Sequence, residues 1–431
     1  MPFQNKSILL LLFLMINTFV YNQIELQGQY KARPEFLNGY KQPLLKSEKP
    51  NFYISQRARL GLQYTHPRFQ FNFIAQDVRV WGSTTSTALD DKGYLSIFEA
   101  NAMIKFSEKW MLKLGRQPIQ YDNGRIFGVS DWGMSARRHD AAILRYKDST
   151  WQVDVGASYN QMSGSSIKTI YELNNYKTFQ YAWANKKWSE LSLSLLFVNN
   201  GMEHIYMEDS IKNSKINYTQ TFGTYLTYDK PKFNLQLYGY YQMGVNQHNQ
   251  TLHAYNVSAS ATIKPIKNIK MTLGGEILSG TSQAHTINDR SQSFSPLYHS
   301  LHPLNGYMDY FYAGNHEESV GLINPFLKIA YQVKKLEFGI DNHLFYAAAD
   351  VQNDKIQTHF EKSNPFLGYE LDFTLKYKLL DEISFQLGYS IMSGTETMRI
   401  LKNADHTKAS HWGYIMISIT PFKNLAPLLA K

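Results

Sequence analysis

Beyond residue 23 the chain contains no run of 18 apolar residues, yet it alternates apolar with polar residues for about ten to fourteen positions at a time. Alternation with period two marks a β-strand whose two faces meet different surroundings. Leu191, Leu193, Leu195 and Phe197 fall on one face of residues 190–199, with Ser192 and Ser194 on the other. Leu367, Tyr369, Leu371, Phe373, Leu375 and Tyr377 oppose Glu370, Asp372, Thr374 and Lys376. A helical membrane span is excluded by length, so a chain of this kind that enters a membrane must do so as a closed barrel. Composition agrees. Charged residues make up 18% and aromatics 14%, against 43% hydrophobic residues, an awkward mix for a soluble protein but a natural one for strands facing lipid and water.

Eighteen segments read as strands: 24–36, 52–65, 68–82, 94–107, 110–121, 137–147, 151–162, 176–187, 190–199, 216–229, 232–244, 251–264, 268–279, 320–333, 335–348, 364–379, 382–394 and 410–422. Their connectors alternate short and long. His66-Pro67, Lys147-Asp148 and Leu380-Asp381 are typical short turns, and 280–319 is the longest loop. The expectation is an all-β transmembrane antiparallel barrel of eighteen strands, with sixteen as the alternative, short periplasmic turns and long extracellular loops. Residues 1–23, with Lys6 before an apolar Ile8–Val20 stretch, read as a signal peptide, 24–422 as the barrel and 423–431 as a short tail. That organisation implies export to the outer membrane of a Gram-negative bacterium, with membrane lipid, lipopolysaccharide and the barrel assembly machinery as partners. Trp81, Trp110, Trp151, Trp183, Trp188 and Trp412 sit at strand ends and are expected to form interfacial girdles.

The most unusual segment is 110–146, a strand, a Gly- and Asp-rich excursion and a returning strand. It carries GRQ (Gly115 to Gln117), YDxxRxFG (Tyr121 to Gly128), DW (Asp131-Trp132) and ARxxDAxxLRY (Ala136 to Tyr146), with weaker echoes in QDVRVWG (Gln76 to Gly82) and between Pro296 and Tyr312. In these words the chain resembles the alginate-export family of outer-membrane channels. The resemblance implies an eighteen-stranded barrel whose basic lumen passes an anionic polysaccharide, with loops folded over or into the pore.

Strand parity supplies candidate residues independently. Arg57 and Arg59 oppose Leu60 and Leu62, Lys113 opposes Leu112 and Leu114, and Arg145 opposes Leu144 and Tyr146, so these cations are expected to face inward, beside Glu99, Asp154, Glu370 and Asp372. Arg79, Arg116, Arg125, Arg137 and Arg138 complete the set expected to contact an anionic oligo- or polysaccharide or another small polar solute, guanidinium being matched to carboxylate. The competing role is a latch in which Asp122, Asp131 and Asp140 neutralise Arg116, Arg125 and Arg138 to pin a loop inside the barrel. Strict parity turns Arg116 outward, where an arginine at mid-membrane costs ~2–4 kcal/mol. Either a bulge near Gly115 re-aims it or it stands above the bilayer.

The net charge of +9, with a pI of about 9.2, suits an anionic ligand. Cysteine is absent, which removes disulfides and thiolate chemistry. No hydrolase, zinc-protease, phosphate-loop or dinucleotide motif occurs, so neither an enzyme nor a cofactor is expected. His285, His299 and His302 lie in the longest loop with Asp289 and Asp309, where isolated histidines are commoner than a metal site. The signal peptide and girdles argue against nucleic acid. The reading is a channel, with a plugged barrel acting as an adhesin or structural protein as its rival.

Overall fold

Side-chain alternation closes this chain into a ring. A computed structural model of the protein describes residues 23–86, 95–173, 175–284, 289–300, 302, 304–311, 319–353, 359–404 and 408–422. The expected signal segment, apart from Gln23, and the expected tail lie outside the described residues. The strands are β1 (Gln23–Asn38), β2 (Asn51–Thr65), β3 (Phe69–Val80), β4 (Leu95–Lys105), β5 (Trp110–Gln117), β6 (His139–Lys147), β7 (Trp151–Tyr159), β8 (Thr178–Lys187), β9 (Leu191–Glu208) and β10 (Ile211–Lys230). They continue with β11 (Phe233–Val245), β12 (Thr251–Ile263), β13 (Ile269–Leu278), β14 (Arg290–Ser291), β15 (Leu322–Val333), β16 (Leu336–Tyr346), β17 (Phe366–Lys378), β18 (Ile383–Gly394) and β19 (Ser410–Ile419).

Each long strand pairs antiparallel with its neighbours in sequence, and β1 pairs with β19 from Tyr30↔Ile419 to Asn38↔His411, so no edge is left open. β13 pairs directly with β15, while the two residues of β14 lie beside β12 and off the ring. The barrel therefore has eighteen strands, each at a segment where alternation places one. A helix, α1 (Glu396–Leu401), capped by Thr395, sits in the last long connector. At the seam Phe422 folds back onto Gly28, where a Cβ would lie 2.8 Å from its ring, so only glycine admits the ring there.

The outward face carries Leu26, Leu60, Leu62, Phe71, Phe73, Leu195, Leu273 and Ile415, all exposed large apolar side chains, as lipid contact requires. Trp110 packs against Tyr146, Tyr331 against Phe338, and Trp151 and Trp188 flank the Lys186 ammonium near the short turns. Those rings form a girdle at that rim. Three of the expected girdle residues do not belong to it. Trp81 follows β3 on the long-loop side, where it donates to Gln56. Trp183 and Trp412 are buried inside the barrel, because inward-folded loops supply rings and carboxylates for them to pack on.

At the long-loop rim, β9 and β10 run on as a paired hairpin to a two-residue turn at Asp209-Ser210, both with positive φ. The polar connector expected over 200–215 is thus strand. The barrel's buried apolar cluster lies in the lumen. It joins Ile119, Tyr121, Ile126 and Phe127 of the third long loop to Phe294, Tyr298, Met308 and Tyr310 of the seventh and to the inner wall.

Candidate functional site

The third long loop, 118–138, enters the lumen where β5 ends and β6 begins, and is fixed at three separate places on the inner wall. First, Asp122 accepts hydrogen bonds from Ser194 Oγ at 2.5 Å and from Trp183 Nε1 at 3.3 Å, while Tyr121 stacks on Trp183 and donates to Asp154 Oδ2 at 2.6 Å. Second, Arg125 reaches β13, nearly across the ring, and ion-pairs with Glu276 where both side chains are buried. Glu276 also accepts from Tyr238, Asn256 and Asn305, so its lone pairs are fully engaged. Third, Asp131 returns to β1 and β2. There Lys31 Nζ approaches it at 2.8 Å, Arg57 Nη2 at 3.0 Å and Arg59 Nη1 at 3.1 Å. Burial alone would raise the Asp131 carboxyl, but the attraction of Lys31 and Arg57 outweighs it and holds the pKa below the usual carboxylate range.

The seventh loop lies against the third. Tyr298 N–H donates to the Ile126 carbonyl at 3.0 Å, Gly128 N–H to the Tyr298 carbonyl at 2.9 Å, and Ser300 N–H to the Gly124 carbonyl at 2.9 Å. Buried backbone of two loops thus satisfies itself as a short internal sheet would. Asn305 joins Arg125 and Glu276, and the Met308 N–H donates to Glu370 Oε1 at 2.8 Å. Gly306, with φ +84°, passes so close to the Glu370 carboxylate that a Cβ would lie 2.6 Å from it. Trp132 stacks on His302 at 4.3 Å between ring centroids and lies under the Arg33 guanidinium at 4.4 Å. Among the described residues no group of three or more His, Asp or Glu can hold a metal; His302 meets Asp309 instead, and His285 lies outside the described residues.

Arg57, Arg59, Lys113 and Arg145 face inward as their parity requires. Arg57 is completely buried beneath the third loop, donating to the Met134 carbonyl at 3.0 Å, and Arg59 lies 3.6 Å over the Phe98 ring. Arg145 forms a two-bond pair with Asp154 across the β6–β7 ladder, at 2.8 and 2.6 Å. Two other expected lumen cations lie on the outside. Arg79 stands opposite Gln56 and pairs with Asp77 at 2.7 Å, and Asp77 stands opposite Ala58, on the face shared with Leu60 and Leu62. Arg116 stands opposite Asp140 with the pairing unbroken through Gly115, whose φ is +109°. No bulge re-aims it, and it points away from the lumen at the upper end of its strand.

The expected carboxylate partners are also partly reassigned. Asp140 does neutralise Arg116, at 2.7 Å. Asp122 binds Trp183 and Ser194 rather than an arginine, and Asp131 takes cations of β1 and β2, because the loop crosses the lumen instead of curling back on its own base. Glu276, Asn305, Lys31 and Arg33 escaped the sequence reading. Lys31, Arg33 and Glu35 at alternate positions of β1 were the available signal for an inward charged stripe.

Above the loops lies a cavity of about 360 Å³. Arg137, Arg138 and Tyr298 face amides and hydroxyls of Asn200, Gln242 and Ser293 across it. Arg137 hydrogen-bonds the Leu297 carbonyl at 3.4 Å, and burial lowers its pKa. Below the loops, at the short-turn mouth, a cavity of about 650 Å³ is edged by Lys334, Lys335, Lys376 and Lys378 together with Glu337 and Asp381.

A family model described as alginate export matches residues 22–410. No match was found among curated proteins. Several solved structures share the fold. OccAB1 of Acinetobacter baumannii aligns with a TM-score of 0.61 at 11% identity, covering 93% of this chain and 97% of its own. OccAB4 of the same organism aligns at 0.59 with 13% identity, covering 92% and 98%. OccK9 of Pseudomonas aeruginosa aligns at 0.59 with 11% identity, covering 92% and 98%.

Proposed function

The chain belongs to the alginate-export family, and on that premise we propose that this outer-membrane channel passes a polar, anionic solute of the uronate type. The observation that carries the anionic preference is Arg137. The base of the third loop delivers its guanidinium to the upper cavity, and among the described residues no carboxylate ion-pairs with it. Its charge is available to a solute. Facing amides, hydroxyls and the Tyr298 ring suit a sugar carboxylate, which needs charge at one edge and hydrogen bonds with ring contact elsewhere. Lys113 adds a second inward cation on the wall, near Glu99 and Arg145. Arg57, Arg59 and Arg125 act as loop anchors: Glu276 matches Arg125, and Asp131 is shared by Arg57, Arg59 and Lys31, whose surplus positive charge is held under the third loop. An ion pair spent on holding a loop contributes little net field to a passing ion.

The test is block of ion current through single barrels in a planar bilayer. Oligouronates should interrupt the current at concentrations where neutral oligosaccharides of equal length do not. Arg137→Gln should weaken that block about tenfold or more. Equal block by neutral and acidic sugars contradicts the reading. The rival, a plugged barrel with a surface or structural role, draws on the rings and buried charges of the two loops in the lumen. Barrels that insert but never conduct would favour it.

A further inference from the structure

The wall of the barrel is lowest at β5 to β8. These strands have 8, 9, 9 and 10 residues, whereas β9 and β10 have 18 and 20. At roughly 3.3 Å per residue and a tilt of about 40°, eight to ten residues rise only about 20–25 Å. That is about the height of the apolar belt itself. β8 ends at Thr178 opposite Gly201, and β9 continues seven residues higher to Glu208 with only β10 beside it. The upper ends of β5 to β8 therefore lie at the level of the outer headgroups, in a notch of the rim.

Cations gather in that notch. Arg116 and Asp140 face outward and are both more than a third exposed. Directly below them Leu114, Leu144 and Val155 are exposed apolar side chains of the same outer wall. A cavity of about 400 Å³ opens here, bounded by Arg116, Arg137, Arg138, Asp140, Asn160 and Asn175. Arg116 and Arg138 thus share one carboxylate, Asp140, while Arg137 is the residue this notch has in common with the upper cavity. Among the described residues Arg138 has a single hydrogen bond, to the Ser135 carbonyl at 3.4 Å.

We propose that this notch binds the phosphorylated head of an outer-leaflet glycolipid, a lipid A phosphate, with its acyl chains lying on the apolar wall beneath. Guanidinium forks match phosphate oxygens two at a time, and the asparagine amides add neutral donors beside them. A soluble uronate offers the same kind of charge but has nothing to place against Leu114, Leu144 and Val155. The lipid satisfies both halves of the site. This assignment rests on the outer-membrane placement and not on the cargo, so it survives or fails independently of the current-block experiment.

The test is native mass spectrometry of the full-length barrel in detergent, titrated with diphosphoryl lipid A. The wild-type protein should retain one lipid A, and enzymatically dephosphorylated lipid A should bind at least tenfold more weakly. The double variant Arg116→Gln/Arg138→Gln should lose binding to the same degree. Heat-modifiable gel mobility checks that this variant folds. Asn175→Asp, a loop change that adds a negative charge at the notch, should also weaken binding, while Lys113→Gln on the inner wall should not. Undiminished binding by the double variant, or equal retention of the dephosphorylated lipid, overturns the proposal. Displacement of lipid A by oligouronates overturns it too, since the notch would then be part of the solute path.

Discussion

Arg125 and Glu276 meet at the end of a loop that crosses the lumen, and both are buried. Removing one partner of such a pair leaves the other charge stranded, at a cost of about 3–5 kcal/mol, whereas removing both costs far less. Chemical denaturation of Arg125→Met should therefore show a large loss of stability. Arg125→Met/Glu276→Gln should recover part of it, and additive losses would mean the two are uncoupled. Asp131 makes a different prediction. Its folded pKa is depressed, so its contribution to the latch is complete above the ordinary carboxylate value of about 3.9 and fades only as pH falls through the lower folded value. Current noise from loop motion should stay flat from pH 8 to about 5 and rise only below about 4. Asp131→Asn should be noisy throughout. A transition near pH 6 in the wild type would contradict the assignment.

At the scale of elements, the third loop is the device on which the interior depends. Excising residues 122–134 removes the Asp122, Arg125 and Asp131 anchors together. Single-channel conductance should rise several-fold while barrel mobility on gels is kept; unchanged conductance would mean that this loop does not narrow the path. The strands themselves were legible in the sequence, because one face meets lipid and period two survives in each. The β9–β10 extension was not. Past Gly201 residues such as Glu203, His204, Tyr206, Glu208, Lys212 and Ser214 stand clear of the apolar belt, both faces meet water, and pairing continues after the hydrophobic alternation has gone. The Gly- and Asp-rich excursion stood out as unusual, yet its course did not. Its anchors lie 72 to 151 residues away for Ser194, Arg59, Arg57 and Glu276, a separation that local pattern does not encode.

Over the whole molecule, the lipid-facing surface ends above in polar pairs and below in rings. Asp77 with Arg79, Gln56 with Trp81, Gln180 with Asn199 and Gln220, and Tyr389 with His411 mark the long-loop side. Parity read the inward faces of Arg57, Arg59, Lys113 and Arg145 from sequence alone. It did not separate cations committed to loops from those left for a solute, since that depends on where the loops land. The net charge of +9 survives this internal pairing; Arg137 carries part of it into the upper cavity, and Lys113 adds an inward cation on the wall beside Glu99 and Arg145. Reversal potential across a single barrel under a salt gradient measures the consequence most directly. Steady open steps are expected, with a reversal potential on the anion side that moves toward zero in Arg137→Gln/Lys113→Gln. A cation-side potential, or bilayers with inserted barrels and no current, would contradict it.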